Sequence, residues 1–165
     1  MIVRIMQGIP GSGKSNYIRK HKREMGEDPE SFCWSDTIRS VSADHYHIID
    51  GEYKYNPANA GKAHAECLKV FMFAVMEVAA EKDRITEFLY VDNTNCTPEE
   101  IAPYYAIARA YGFPVEIVRF MTPVRECLRR QTHGVPDKTV INMYINLTTR
   151  SLPSYWQYDM EVVYA

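Results

Sequence analysis

Short apolar blocks alternate along this chain with longer stretches whose apolar residues recur every three or four positions. That ordering predicts strands separated by helices. Residues 1–6, Met1-Ile2-Val3-Arg4-Ile5-Met6, predict a first strand, and 14–25 a helix stopped by Gly26 with Pro29 beyond it. The helix is weakly amphipathic: Tyr17 and Ile18 sit among Arg19, Lys20, Lys22 and Arg23, four bases that read as a solvated face. After a loop over 27–35, β-branched residues in alternation predict a strand over 37–42. It ends in a polar cluster, Ala43-Asp44-His45-Tyr46-His47, followed by an irregular excursion over 50–59 with Gly51, Tyr53, Tyr55 and Pro57.

Residues 60–81 predict a long helix whose buried face carries Leu68, Phe71, Met72, Val75 and Val78, with His64 near its start as a structural residue. The run 88–92 is almost wholly apolar, as a central parallel strand should be, and closes in Asp92-Asn93-Thr94-Asn95. Thr97, Pro98 and Glu100 compose an N-cap, a first-turn proline and a capping box for a helix bearing Ile101, Tyr105, Ala108 and Tyr111 and stopping at Gly112. A strand over 114–120, helices from Thr122-Pro123 to about Arg130 and over 137–147, and an edge strand within 158–164 complete the pattern. The expectation is one α/β domain over 1–165: an open parallel sheet flanked by helices, with right-handed crossovers and a helical lid at about 123–147.

Composition changes little in this picture. A chain of 165 residues with 46% hydrophobic and 24% charged content can bury a core of its own. A net charge of −2 argues against broad coating of nucleic acid, though not against holding a nucleic-acid end by a few local bases. Cys33, Cys67, Cys96 and Cys127 are scattered without a C-x-x-C pair, so reduced thiols and a cytoplasmic protein are expected. A strand at the very N-terminus leaves no room for a signal peptide, no apolar run reaches membrane-spanning length, and the Asn146-Leu147-Thr148 sequon reads as incidental. Nothing in the sequence fixes an oligomeric state.

The chemistry starts at Gly8-Ile9-Pro10-Gly11-Ser12-Gly13-Lys14-Ser15, followed by Asn16. This is the G-x-x-x-x-G-K-[ST] P-loop between a strand and a helix. Its glycines let successive N–H groups converge on an anion at a helix N-terminus, Lys14 adds a point charge for the outer phosphates, and Ser15 supplies a hydroxyl for Mg²⁺. ATP or another nucleoside triphosphate is the expected ligand. Three further stations fall at strand ends or in the lid. Asp44 either activates an acceptor hydroxyl or caps a turn. Asp92 ends an apolar strand as a Walker-B acid does, to hold Mg²⁺ through water or orient the acceptor side, while Asn93 and Asn95 either join it or shape the turn. Arg125, Arg129 and Arg130 lie on a helix leading to His133-Gly134; they either clamp a transferring phosphate or form a solvated basic face.

Together these residues resemble the polynucleotide 5′-hydroxyl kinase family, the kinase module of phage and bacterial end-healing enzymes. The resemblance rests on the P-loop, Ser42-Ala43-Asp44-His45-Tyr46, Asp92-Asn93-Thr94-Asn95, Pro103-Tyr104, the stretch 108–113 and Arg130-Gln131-Thr132-His133-Gly134-Val135-Pro136, and runs to about Met143. It implies an open parallel sheet with a helical lid and transfer of the ATP γ-phosphate to a nucleic-acid 5′-OH with Mg²⁺. Asp44 then takes the general-base position, Arg130 that of the lid arginine, and Lys14 and Ser15 the phosphate and metal roles. Asp92, His47 and Arg129 fall on the acceptor side. His47 stands where the family often has an arginine for the acceptor's phosphate, and Gln131 is a milder departure. A small-molecule kinase acting on a nucleoside, sugar or metabolite shares the same donor machinery, and a nucleotide-binding switch or adaptor would need no acceptor at all.

Overall fold

The computed structural model describes residues 1–31, 37–54, 56–80, 85–132 and 134–164; Cys33, Tyr55, Glu81 and His133 lie outside them. The strands are β1 (Ile2–Gln7), β2 (Ile38–Val41), β3 (Ile48–Ile49), β4 (Glu52–Tyr53), β5 (Phe88–Val91), β6 (Val115–Phe120) and β7 (Asp159–Val163). The α-helices are α1 (Lys14–Glu24), α2 (Ala60–Ala80), α3 (Pro98–Ala110), α4 (Val124–Arg130) and α5 (Asp137–Thr149). Five strands form one parallel sheet in the order β2-β5-β1-β6-β7. The register aligns Ile5 with Val91 and Ile117, and Val41 with Val91, so β2 and β5 end level and β1 runs two residues further in the same direction. The segments that follow them, Gly8 onward, Ser42 onward and Asp92 onward, therefore leave the sheet at one edge, where open α/β folds bind ligands.

Helices cover both faces. Val3, Ile5, Leu89, Val91 and Ile117 pack with Phe71, Val75 and Val78 of α2 and Ile101 and Ala108 of α3. On the other face Met6, Ile38, Tyr90, Val118 and Phe120 pack with Ile18 of α1. A third cluster joins Ile9 of the P-loop to Cys96, Cys127 of α4, and Val140 and Leu147 of α5. The helices in the lid region are thus anchored by apolar burial to the phosphate loop itself.

The α2 stripe differs from expectation. Its buried residues are Ala63, Cys67, Phe71, Ala74, Val75 and Val78, whereas Met72 is exposed and Leu68 only half-buried. Small residues at 63, 67 and 74 let the helix lie close to the sheet, which turns the face by one residue and sends the bulkier Met72 outward. Likewise α3 buries Tyr104 rather than Tyr105, whose ring stacks on Trp156 at 4.4 Å, and Tyr111 is exposed. The capping box forms as expected: Thr97 Oγ1 accepts from the Glu100 N–H and Glu100 Oε2 from the Thr97 N–H. The excursion after His47 is more regular than expected, because Asp50 and Gly51, both at positive φ, turn β3 into antiparallel β4. A short 3-10 turn, Pro57–Asn59, then leads into α2. The basic face of α1 is not wholly solvated: Lys22 is buried, with Nζ donating to the Ser31 carbonyl at 2.5 Å. Among the described residues no helix is long and apolar enough to cross a membrane.

Candidate phosphoryl-transfer site

The P-loop carries the chain from β1 to α1 on backbone that only glycine takes without strain. Gly11 and Gly13 have φ of 79° and 103°, and a Cβ on Gly11 would stand 2.3 Å from the Cys127 carbonyl oxygen and 3.1 Å from the Gln131 nitrogen. The loop backbone is therefore seated directly on the C-terminal turn of α4. Gly13 is the N-cap of α1 and no side chain caps that helix, so its first-turn N–H groups face the loop. Lys14 Nζ arches back to donate to the carbonyls of Gly8 at 2.9 Å and Ile9 at 3.1 Å. Burial lowers the ammonium's pKa, partly opposed by Asp92 and Asp44 nearby.

The two acids sit on adjacent strand ends. Asp92 accepts a hydrogen bond from Ser15 Oγ at 2.8 Å; desolvation raises its pKa, against the pull of Lys14 and Ser15. Ser15 and Asp92 present two hard oxygen donors at the phosphate loop, a pair suited to Mg²⁺ when phosphate oxygens and water complete its shell. No cluster of three or more His, Cys, Asp or Glu among the described residues offers an all-protein cage. Asp44 lies in the 3-10 turn Ala43–His47, whose cap is Ser42: its Oγ accepts from the Asp44 N–H at 3.2 Å and donates to the Asp92 carbonyl at 2.8 Å.

Behind these acids is a buried polar network. Asn93 Oδ1 accepts from the Ala43 N–H at 2.8 Å, and its amide donates to Tyr104 Oη at 3.3 Å and Cys67 Sγ at 3.5 Å. Asn95, at φ 46°, donates from Nδ2 to the Met6 carbonyl at 2.8 Å, and the Gly8 N–H bonds to the Thr94 carbonyl at 2.9 Å. Both asparagines therefore fix backbone: Asn93 ties the turn bearing Asp44 to the tip of β5, and Asn95 ties that tip to the end of β1.

One cleft of about 1220 Å³ unites most of the expected residues: Pro10, Gly11, Gly13, Lys14, Ser15, Asn16, Asp44, His47, Asp92 and Arg130. Ile9 and Ser12 do not line it. Ile9 is in the core, and Ser12 is buried with its carbonyl accepting from Thr122 Oγ1 at 2.9 Å, so both serve the loop's shape. Arg129 also lies off the cleft, on the exposed side of α4. It shares the Glu126 carboxylate with Arg130, whose Nε donates to Oε1 at 2.7 Å, and the two guanidiniums hold that carboxyl down at about 2. His64 is exposed at the rim, and burial lowers the pKa of His45.

Some contributors were not anticipated. Thr139 and Met143 of α5 extend the cleft wall. Gln131 closes a ring with Val135, donating from Nε2 to its carbonyl at 2.7 Å and accepting from its N–H at 3.0 Å. That ring ties Val135 back to Gln131, the residue that follows Arg130. The only signal for it in the sequence is a glutamine four residues before a valine.

Human NEDD4-binding protein 2 is 27% identical to this chain over 150 residues, covering 87% of the chain and 7% of that protein's length. Kti12 of Chaetomium thermophilum, in complex with ADP-AlF3, superposes with a TM-score of 0.61 at 15% identity, over 98% of this chain and 88% of that one. The Mycobacterium tuberculosis APS kinase CysC, in complex with AMPPNP and APS, gives 0.56 at 16% identity over 99% and 87%. At such identities the likeness is one of fold, a P-loop kinase-like α/β sheet. The sequence profile of the AAA domain family spans residues 3–134, from β1 through the P-loop, both strand-end acids and Arg130, and the chain belongs to that family.

Proposed function

We propose that the chain is a kinase that moves the γ-phosphate of ATP, held with Mg²⁺, to the 5′-hydroxyl end of a polynucleotide. The observation that carries this reading is the presence of Asp44 and Arg130 on the cleft that Lys14 and Ser15 head. A nucleotide switch needs the phosphate loop but has no use for a carboxylate facing the donor from the neighbouring strand.

The roles follow from the chemistry. The N–H groups at the start of α1 and the Lys14 ammonium receive the β- and γ-phosphates. Mg²⁺, when bound through Ser15 with Asp92 behind it, supplies charge neutralisation between the outer phosphates. Asp44 takes the proton of the acceptor hydroxyl as that oxygen bonds to the γ-phosphorus. The bond from phosphorus to the bridging oxygen breaks, and ADP leaves with its electron pair. Arg130 binds the equatorial oxygens, where charge spreads in the transition state. Kti12 with ADP-AlF3 and CysC with AMPPNP support the nucleotide half of the reading.

A small-molecule acceptor is the second reading, favoured by His47: it is buried and offers imidazole nitrogens where a guanidinium fork would grip an acceptor phosphate. The test is transfer from γ-labelled ATP to a panel of 5′-OH oligonucleotides, nucleosides and sugars. Label on the oligonucleotide 5′ end alone is expected. Label only on a nucleoside or sugar selects the second reading, and ATP binding without any labelled acceptor selects the switch.

A further inference from the structure

We infer that the pocket beside β2 seats an uncharged planar heterocycle, the base of a nucleoside unit whose hydroxyl reaches Asp44. The inference rests on the kinase reading and narrows its acceptor to one bearing such a ring, as a nucleic-acid end or a free nucleoside does and a sugar does not. It starts from the edge of the sheet. β2 pairs with β5, and among the described residues no strand lies on its other side. The Phe88 and Asp92 N–H groups donate to the carbonyls of Thr37 and Val41 at 3.1 and 2.8 Å, so the odd-numbered residues turn their backbone groups toward β5. The even-numbered ones face outward, as Ile38 does in donating its N–H to Glu27 Oε2 at 3.3 Å. Ser40, next in that series, directs an N–H and a C=O off the free edge.

Every residue of β2, with Ser42 after it, lines one pocket of about 340 Å³. Successive side chains of a strand point to opposite faces, so a pocket shared by all of them runs along the strand's edge. Its volume lies at the small end of ligand cavities, which start at about 300 Å³, and suits a single ring system. The other walls include Val70 of α2, Ile48, and Tyr46, an aromatic side chain 40% exposed. Lys22 and Arg39 border it too, but their cationic ends are engaged by the Ser31 carbonyl and by Glu77, which leaves a surface matched to an uncharged ligand. Ser40, Ser42 and His45 line this pocket and the transfer cleft alike, and Ser42 caps the turn that holds Asp44. A nucleoside with its hydroxyl at Asp44 can therefore lay its sugar over Ser42 and His45 and its base against β2. There the Ser40 N–H and C=O match the adjacent acceptor and donor on a base edge, while Tyr46 and the aliphatic walls cover the ring face. A sugar without a base leaves all of these groups unused.

Binding to the ADP-loaded protein tests this without requiring turnover. Methyl NMR spectra of protein labelled at Ile and Val are followed during titration with nucleosides of the common bases, with 5′-OH trinucleotides, and with ribose as the ring-free control. Saturable shifts of the Val41, Ile48 and Val70 methyls are expected with at least one nucleoside and with the trinucleotide that begins with it, and none with ribose. Tyr46→Ala should weaken that nucleoside about tenfold, as loss of a stacking partner does, and Tyr46→Phe should bind it as wild type does. Val70→Phe, which fills the pocket from α2, should weaken it at least about tenfold and serves should Tyr46→Ala fold poorly. ADP affinity should stay put in all three. Silent methyls with every nucleoside and trinucleotide, shifts that ribose reproduces, or wild-type nucleoside affinity in both Tyr46→Ala and Val70→Phe overturn the subsite. Transfer of label to an oligonucleotide or nucleoside with silent methyls upholds the kinase reading and overturns the subsite. Methyl shifts with no transfer to any acceptor uphold the subsite and overturn the kinase reading.

Discussion

Replacing Gly11 by alanine imposes two separate costs, and Gly13 allows them to be told apart. Both glycines are left-handed, at φ 79° and 103°, so an alanine at either pays about 1–2 kcal/mol of backbone strain. At Gly13 the new methyl meets nothing within 4 Å, and strain is the whole cost. At Gly11 it would lie 2.3 Å from the Cys127 carbonyl oxygen, a backbone atom already engaged by the Gln131 N–H at 2.9 Å. Either α4 withdraws or the loop does, which adds about 1–3 kcal/mol as overpacking does elsewhere. For a chain of this size about 1 kcal/mol moves Tm by 2–4 °C, so Gly11→Ala should melt about 2–12 °C below Gly13→Ala. Thermal denaturation followed by circular dichroism measures the difference. Because α4 also carries Arg130, a displacement of about 1 Å should cut phosphoryl transfer about a hundredfold beyond any loss in ATP affinity. Equal melting temperatures for the two variants would refute the claim that α4 is seated on the phosphate loop.

Asp44→Asn should leave ATP binding intact, by calorimetry, while slowing transfer at least about a hundredfold, the lower range for lost general-base assistance. Arg130→Ala should lower kcat by about a hundredfold or more with little change in acceptor KM, as loss of a transition-state partner does; a rise in KM alone would move Arg130 to ground-state binding. Acid should loosen α4. The Glu126 carboxyl is held from 4.5 down to about 2 by Arg129 and Arg130, so its stabilisation is full above the unfolded value and fades as pH falls from there toward about 2. In melting curves taken from pH 5 to 2, Glu126→Gln should lack that part of the acid slope.

How much of this was legible depended on whether a residue's job is set by its neighbours in sequence or by neighbours in space. The P-loop, the capping box at Thr97 and the apolar run of β5 are local patterns with local causes, and the fold followed from their order. Met72 and Phe71 are adjacent, and only the small residues at 63, 67 and 74 decide which of them meets the sheet. Arg129 and Arg130 present the same difficulty on α4. One helical step separates them, and it is the seating of Gly11 on Cys127 that leaves Arg130 on the cleft and Arg129 off it. Lys22 is indistinguishable from Lys20 until β2 lies beside it. The Asp50-Gly51 turn did carry a recognisable hairpin signal, but its flanking strands of two residues each are too short to show alternation.

The network behind Asp44 leads to an unusual coupling of core to rate. Asn93 holds the turn under that acid by its Ala43 amide, and is itself positioned by Tyr104 on α3 and Cys67 on α2. A methylene added or removed at Cys67 would shift the aim of a carboxylate it never touches. Substitutions deep between α2 and α3, which in most proteins only raise or lower the melting point, would here surface as slow enzymes that fold well.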